Sequence, residues 1–309
     1  MKKYLGEIGL TFVAIIWGMG FVASQLSLDS KLTPFQIITL RFFISTVLMI
    51  TIYRKKLKNI DKSSIIAGAI LGFFLFIAFA FQTIGLQYTT PSKNAFLTAI
   101  NVVMVPFLGT LIFKKPIDKY GIGGALLACV GVGVLTLNGS FNMNKGDALT
   151  LICAIGFAFH IFFVGEYVKK YDPILLTTLQ LTFAFIFSLI SIVIMGQTDI
   201  HLNSKGILAV SYLGIFSTTL AFLLQNVSQK FTNETKAAII LSMESVFGSL
   251  ASVMFLGEQM TLKISIGCIL IFAAIIISET KLSFLHKDKL HKEENIIKNT
   301  ITCEYTNND

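Results

Sequence analysis

The chain has 309 residues, of which 54% are hydrophobic and only 14% are charged, and its mean hydropathy is +0.75. Soluble globular domains contain about 25% charged residues, so this composition excludes an ordinary water-soluble enzyme or binding domain. The formal net charge of +8 does not indicate nucleic-acid binding, because the lysines and arginines lie in short clusters between long apolar runs. We therefore predict a protein whose partner is the lipid bilayer and not a nucleic acid.

Apolar runs of membrane-spanning length begin at Leu5 and follow one another along most of the chain. About 20 predominantly apolar residues cross a bilayer as a helix, because a helix satisfies its own backbone polar groups. We predict an all-α polytopic membrane protein with ten transmembrane helices, at residues 5–27, 34–53, 65–87, 92–113, 120–138, 147–167, 173–195, 206–229, 235–256 and 262–279. The first run carries no small-residue cleavage site, which predicts that it is retained as a helix.

The polar loop near residues 138–145 divides the chain into two halves of five predicted spans each. We predict a first repeat at residues 1–138, a second repeat at 139–280 and a polar tail at 281–309. Because each half has an odd number of spans, the second half would be inverted in the membrane relative to the first.

Local matches between the halves favour a duplication. Sliding residues 88–127 onto 231–270 without gaps pairs Lys93 with Lys236 and Asn101 with Glu244. Chance similarity between two sets of apolar helices is the alternative explanation.

The distribution of positive charge predicts the orientation. If the N-terminus is cytoplasmic, that side holds 19 lysines and arginines and the far side holds 5, with Arg41 inside a span. Positive residues are enriched on the cytoplasmic side, so we predict a multi-pass protein of the cell membrane with both termini in the cytoplasm.

Two charged residues lie deep in predicted spans, where a charge costs at least ~2.5–3.5 kcal/mol and therefore marks a candidate functional site. Glu244 lies ~15 Å into the ninth span and Arg41 ~10 Å into the second, at 1.5 Å per residue. For Glu244 three roles are open: binding of substrate or a proton, pairing with Arg41, or hydrogen bonding as a protonated acid. For Arg41 a structural role is the first interpretation, and lining of a substrate cavity is the other.

Four further side chains complete the predicted substrate-binding set, which is Trp17, Arg41, Asn101, His160, Gln180 and Glu244. His160 can change charge near neutral pH, which suits proton coupling, although a lone membrane histidine also hydrogen-bonds neighbouring helices. Trp17 lies too deep for an interfacial aromatic belt and lines a cavity or packs. Asn101 and Gln180 offer neutral hydrogen-bonding groups, for which helix packing is the simpler role.

Cysteines and small residues indicate packing and no cofactor. Cys129, Cys153 and Cys268 lie in apolar runs and Cys303 in the polar tail, with no CxxC or Cys/His spacing, so no disulfide, metal or cofactor is predicted. The glycine pair Gly68 and Gly72 predicts a close approach of helices.

Several short motifs resemble the drug/metabolite transporter superfamily, specifically its EamA-type ten-helix branch. They are Trp17-Gly18 with Phe21, Arg41-Phe42, and Leu256-Gly257-Glu258 followed by Gly267. The resemblance covers residues 5 to about 280 and implies alternating access around one central cavity, with export driven by a gradient.

The predicted function is therefore a secondary transporter of a small metabolite, such as an amino acid or a related compound, and not an enzyme. A membrane-embedded enzyme acting on a lipid or lipid-linked substrate is the alternative, but the sequence has no HExxH, GxSxG or phosphate-binding glycine loop. The substrate, the direction, the coupling ion, with protons as the candidate, and the choice between monomer and homodimer are not determined by the sequence.

Overall fold

The structure, a computed structural model, describes residues 2–114, 119–137, 143–231 and 240–280, and all regular elements in these ranges are helices. The α-helices are α1 (Lys2–Asp29), α2 (Pro34–Tyr53), α3 (Lys62–Leu86), α4 (Pro91–Ala99), α5 (Asn101–Phe113), α6 (Lys119–Thr136), α7 (Lys145–Tyr167), α8 (Pro173–Ile194), α9 (Ser204–Tyr212), α10 (Ala221–Ser228), α11 (Glu244–Leu256) and α12 (Leu262–Thr280). A π-helix, Leu213–Leu220, joins α9 to α10, and Lys56–Asn59 and Gln229–Phe231 are 3-10 turns.

The helices confirm the prediction of an all-α polytopic membrane protein. Within the described residues, seven helical segments are long and apolar enough to cross a bilayer, and they coincide with seven predicted spans. Three shorter apolar helices, Lys119–Leu135, Ile240–Leu256 and Leu262–Ser278, lie at the other three positions. The predicted start of the ninth span at 235 and the predicted tail from 281 lie outside the described residues.

The side chains are distributed as expected for a protein in lipid. Large apolar residues such as Leu208, Met254 and Leu262 are 74%, 75% and 78% exposed, whereas Arg41 and His160 are only 2% and 1% exposed. Exposed apolar side chains of this size are suited to contact with the hydrocarbon of a bilayer. Arg41 and His160 instead face the interior of the bundle, where polar groups in membrane spans are expected.

Helix starts follow directly from the sequence. Thr33, Thr90 and Asp172 accept backbone hydrogen bonds as N-caps, and a proline is the first residue of each of α2, α4 and α8. Proline suits this position because its fixed φ is helical and its missing N–H would have no partner there.

The helices pack in a pattern that is preserved when the two halves are exchanged. α3 of the first half packs against α7 and α8 of the second half. Correspondingly, the α9–α10 segment of the second half packs against α1 and α2 of the first half. Likewise α5 packs against α7 while α11 packs against α1, and α6 packs against α12. At Gly68 a Cβ would lie 2.4 Å from the Cβ of Leu179, so the predicted close approach at this glycine is present.

Candidate functional site

The fourth and ninth spans are each interrupted near their middle, which the continuous apolar pattern did not predict. α4 ends at Ala99 and α5 begins at Asn101, and in the ninth span a turn at Met243 precedes α11. In both turns the backbone N–H bonds three residues back, from Val103 to Ile100 over 3.0 Å and from Met243 to Ile240 over 3.2 Å.

The two interruptions occupy equivalent positions in the gapless alignment of the halves. Adding 143 to a residue number of the fourth span pairs Asn101 with Glu244, and each of these residues is the first of its second half-helix. The ends agree as well, because Lys114 (φ 54°) and Gly257 (φ 66°) are also 143 residues apart and both terminate their helices in the left-handed conformation.

Asn101 and Glu244 differ in how they are satisfied. The Asn101 Nδ2 group donates to the carbonyl of Thr98 over 2.7 Å, while its Oδ1 is enclosed without a partner. Glu244 is half-buried and makes no side-chain hydrogen bond or ion pair with the described residues. Its carboxylate is also not among the enclosed atoms that lack a partner, so it borders open space.

A cluster of aromatic rings lies near the ninth-span interruption and consists of Trp17, Phe42, Phe79, Phe157 and Phe222. The Phe79 ring contacts those of Phe157 and Phe222 at centroid distances of 5.1 and 6.3 Å, and Trp17 contacts Phe222 at 5.2 Å. Trp17 also packs against a buried apolar cluster that includes Leu241, which precedes Glu244 by less than one turn, so the rings lie near the ninth-span interruption.

The π-helix brings polar groups to the edge of the aromatic cluster. Its wider turn lets Thr219 Oγ1 donate to the carbonyl of Gly214, five residues earlier, over 2.7 Å. The carbonyl of Ser217 accepts a hydrogen bond from Trp17 Nε1 over 2.9 Å. Such widened turns recur at functional sites because they release backbone groups and redirect side chains.

Arg41 is held by this π-helix. Its Nε donates to Thr218 Oγ1 over 2.9 Å and its Nη2 to Ser217 Oγ over 3.3 Å. The guanidinium carbon lies 4.0 Å from the centroid of the Phe79 ring. Among the described residues no ion pair joins Arg41 to Glu244, so the structure does not contain the pairing that was one of the sequence-based interpretations.

His160 and Gln180 form a hydrogen-bonded pair next to the aromatic cluster. His160 Nε2 and Gln180 Oε1 are 3.0 Å apart, and the imidazole contacts the Phe222 ring edge-on at 5.9 Å. The Gln180 Nε2 group is enclosed without a partner. If Nε2 carries a proton it donates to Gln180, and this bond then leaves Nδ1 as the site that can gain a second proton.

A series of polar contacts connects α4 to α7 from one end of the bundle toward the interruption. Asp147 receives a hydrogen bond from Thr89 and lies 3.3 Å from Lys93 Nζ. One turn further, Asn94 Nδ2 donates to Thr150 Oγ1 over 2.8 Å, and then Thr98 Oγ1 lies 3.8 Å from Cys153 Sγ. We call these contacts the α4–α7 ladder.

Glu258, part of a motif in the sequence but not of the predicted site, holds the start of α4. It accepts hydrogen bonds from Ser92 N–H over 3.1 Å and Ser92 Oγ over 2.8 Å, and from Ser252 Oγ. Together, the α4–α7 ladder and the Glu258 contacts hold the start of α4 against α7 and against the C-terminal end of α11.

The structure therefore divides the six predicted residues into two neighbouring groups. Trp17 belongs to the aromatic cluster, Arg41 and His160 contact its rings, and Gln180 bonds to His160. Asn101 and Glu244 begin the second half-helices of the two interrupted spans. Sequence reasoning missed Ser217 and Thr218, although the run Ser217-Thr218-Thr219 inside an apolar span was a signal. Among the described residues no three His, Cys, Asp or Glu side chains are grouped as metal ligands would be.

Comparisons with known proteins agree on one family. The model of the EamA-like transporter family matches residues 4–137 and 144–280. An uncharacterized transporter of Archaeoglobus fulgidus is 35% identical over 277 residues, covering 90% of this chain and 86% of the relative. A probable amino-acid metabolite efflux pump of Salmonella typhimurium is 24% identical over 294 residues, covering 90% and 95%.

A solved crystal structure superposes on this protein with a TM-score of 0.66 at 16% sequence identity. The superposition covers 89% of this chain and 97% of the chain in that crystal structure. At this identity the likeness shows the fold alone. It agrees with an all-helical membrane architecture along nearly the whole chain.

Proposed function

This chain belongs to the EamA-like transporter family, and we propose that it is a secondary transporter. In this proposal it exports a small metabolite, such as an amino acid or a related compound, by alternating access. Its relatives bear the names of transporters, and one is named as an amino-acid metabolite efflux pump. The membrane is the cell membrane in this proposal, with both termini in the cytoplasm.

The observation that carries the proposal is the pair of interrupted spans. Transporters built from inverted repeats bind their substrates near the bilayer midplane, where discontinuous helices expose half-helix ends. Here the interruptions at Ile100 and Met243 are 143 residues apart, at equivalent positions of the two halves. An interruption inside a bilayer leaves backbone groups unsatisfied and is tolerated only where protein or a cavity surrounds it.

The packing pattern supports two repeats with the boundaries 1–138 and 139–280. Exchange of the halves converts the contacts of α3 with α7 and α8 into those of the α9–α10 segment with α1 and α2. The family model also matches the chain as two segments. Alternating access then consists of a change between two packings that the repeat symmetry makes similar in energy.

The chemistry of the site supports a small, partly apolar substrate. The aromatic cluster offers flat apolar walls, and the hydrogen-bonding groups are few and lie at its edges. No observation favours the alternative of a membrane-embedded lipid enzyme.

Purified protein in liposomes tests the proposal. Vesicles loaded with each of the twenty amino acids are diluted into buffer containing the same amino acid at trace level in radiolabelled form, and counterflow is measured. We expect accelerated exchange of at least one amino acid relative to protein-free liposomes. Exchange at the protein-free rate for all twenty would contradict the proposed substrate class.

A further inference from the structure

The second span contains a guanidinium whose charge no carboxylate of the described residues neutralises. Arg41 is 2% exposed, and its partners are two neutral hydroxyls and the face of an aromatic ring. None of the ion pairs among the described residues includes Arg41. A buried charge without a counter-ion is costly, and in a membrane span it faces a water-filled path or a charged ligand.

The unused donors of Arg41 lie together at one end of its guanidinium. The group has five N–H donors, and the two hydrogen bonds to Thr218 and Ser217 come from Nε and Nη2. The remaining donors are on Nη1 and Nη2, and Nη1 is not among the enclosed atoms that lack a partner. These donors have the fork geometry that binds a carboxylate through both of its oxygens.

The surrounding groups fix the orientation of this fork. The two hydroxyls of the π-helix hold one edge of the guanidinium, and the Phe79 ring, 4.0 Å from its central carbon, covers one face. A fork oriented before the ligand arrives does not lose rotamer entropy on binding. Thr218 and Ser217 are therefore positioning residues for Arg41.

We propose that Arg41 is the subsite for a carboxylate of the transported molecule, so that the substrate is a small carboxylic acid in its anionic form. The inference rests on the proposed transport function and names a chemical group that every substrate must carry. The competing occupant is Glu244, if its carboxylate moves to Arg41 in another conformation of the transporter.

Matched pairs of ligands test the subsite by binding, without a transport assay. Thermal stabilisation of the detergent-purified protein is titrated with the twenty amino acids, with acetate, pyruvate and succinate, and with the carboxamide of each. We expect at least one acid to stabilise the protein and its amide to bind about tenfold or more weakly, because the amide lacks the charge. Inorganic phosphate serves as the other anion that binds guanidinium groups.

Variants assign the effect to Arg41. Arg41→Gln should abolish the preference for acid over amide, whereas Arg54→Gln, at the exposed end of α2, should preserve it. If Arg41→Gln does not fold, the position is tested through Thr218: Thr218→Val should weaken binding of acids and not of amides, and Thr218→Ser should restore it. A merely structural Thr218 would alter both ligand classes equally.

Several outcomes overturn the inference. Equal binding of acid and amide, stabilisation by phosphate and by no carboxylate, or no stabilisation by any acid would each do so. If Glu244 is the only carboxylate that occupies Arg41, the wild type should show no acid preference and Glu244→Gln should show one, a result that would also overturn the inference. Failure of amino-acid counterflow with retained acid preference would instead reject the proposed substrate range and keep the carboxylate subsite.

Discussion

Gly18 shows how closely single residues determine the packing of this bundle. A Cβ at this position would lie 2.7 Å from the Cβ of Phe247 and 2.8 Å from the backbone N of Gly248. Such distances are shorter than van der Waals contact, and one of the atoms belongs to the backbone of α11 and cannot rotate away. The positions of Trp17, next to Gly18, and of Glu244, the first residue of α11, therefore depend on the absence of a side chain at Gly18.

Gly18→Ala is expected to destabilise the protein by about 1–3 kcal/mol, because the extra methyl group separates α1 from α11. The measurement is the Tm of the detergent-purified protein. Gly165→Ala is the matched control, since no atom lies within 4 Å of a Cβ at that helical position and alanine favours helix. A Tm for Gly18→Ala equal to that of the control would contradict the packing described here.

His160→Gln tests whether the pair with Gln180 takes part in coupling. Glutamine can keep a hydrogen bond across the 3.0 Å contact but cannot carry a second proton near neutral pH. If protons are coupled through His160, the variant should reach the membrane at the wild-type level and lose the pH dependence of counterflow between pH 6 and 8. An unchanged pH profile removes His160 from the mechanism.

For single residues, the sequence pointed to candidate side chains but not to their partners. Rarity of charge in the spans was enough to select Arg41 and Glu244. The hydrogen bond from Arg41 to Ser217 joins residues 176 positions apart and depends on a π-helix, which no local pattern in the sequence encodes. Long-range packing decides such partners.

Helix starts and helix interruptions differ in how far the sequence encodes them. The N-caps Thr33, Thr90 and Asp172 with their following prolines are local signals, and the predicted spans begin there. The interruptions at Ile100 and Met243 follow no proline or glycine, and each lies inside a run that is predominantly apolar apart from a few polar residues such as Asn101 and Glu244. They were therefore predicted as continuous spans and arise from tertiary contacts.

The N-cap of α8 should respond to acid. Burial raises the pKa of Asp172, but hydrogen bonds from Lys56 and from the backbone N–H groups of Leu175 and Ile174 outweigh it and lower the pKa overall. A carboxyl group whose pKa is lower in the folded state stabilises the protein above its unfolded pKa of about 4 and loses this effect as the pH falls further. Half of the side chain is solvated, so the charge contribution is small.

Two substitutions separate the cap of α8 from its charge. Asp172→Asn keeps a good N-cap and should mainly remove the loss of stability below about pH 4. Asp172→Ala should also cost about 1 kcal/mol at pH 7, because the two N–H groups lose their acceptor. Melting temperatures at pH 7 and at a series of pH values below 4 measure both effects, and an unchanged acid response in Asp172→Asn would refute the role of its charge.

The contact between Asp147 and Lys93 in the α4–α7 ladder should behave as a buried ion pair. Asp147 is fully buried and Lys93 partly so, and removal of one partner leaves the other charge uncompensated. We expect about 3–5 kcal/mol of destabilisation for Asp147→Asn and for Lys93→Met, and a smaller loss in the double variant than the sum of the two. Additive losses in a double-mutant cycle of Tm or unfolding free energy would show that the two residues are not coupled.

For the whole molecule, composition and hydropathy were sufficient for the fold class. The helices occupy the predicted spans, and the family match covers residues 4–137 and 144–280. The exchange of contacts between the halves was not visible in the sequence, because the identity between them is low and apolar residues substitute freely for one another in lipid.

Reporter fusions test the orientation that the charge distribution predicts. With 19 positive residues on one side and 5 on the other, fusions after Leu57 and near Lys292 should report the cytoplasm, and a fusion near Asn142 should report the far side. Detection of the Lys292 fusion from outside intact cells would reject both the orientation and the inverted arrangement of the halves.

The two left-handed helix ends, Lys114 and Gly257, differ in the residue that adopts this conformation. Glycine is unstrained at Gly257, whereas Lys114 at the equivalent position costs about 1 kcal/mol in the left-handed conformation. Under the proposed inverted arrangement the two positions face opposite compartments, and only the first lies where a lysine helps to retain its loop in the cytoplasm. Selection for the direction of membrane insertion would explain why a strained lysine is kept at position 114. Lys114→Gly should stabilise the folded protein and weaken its preference for the predicted orientation in the membrane.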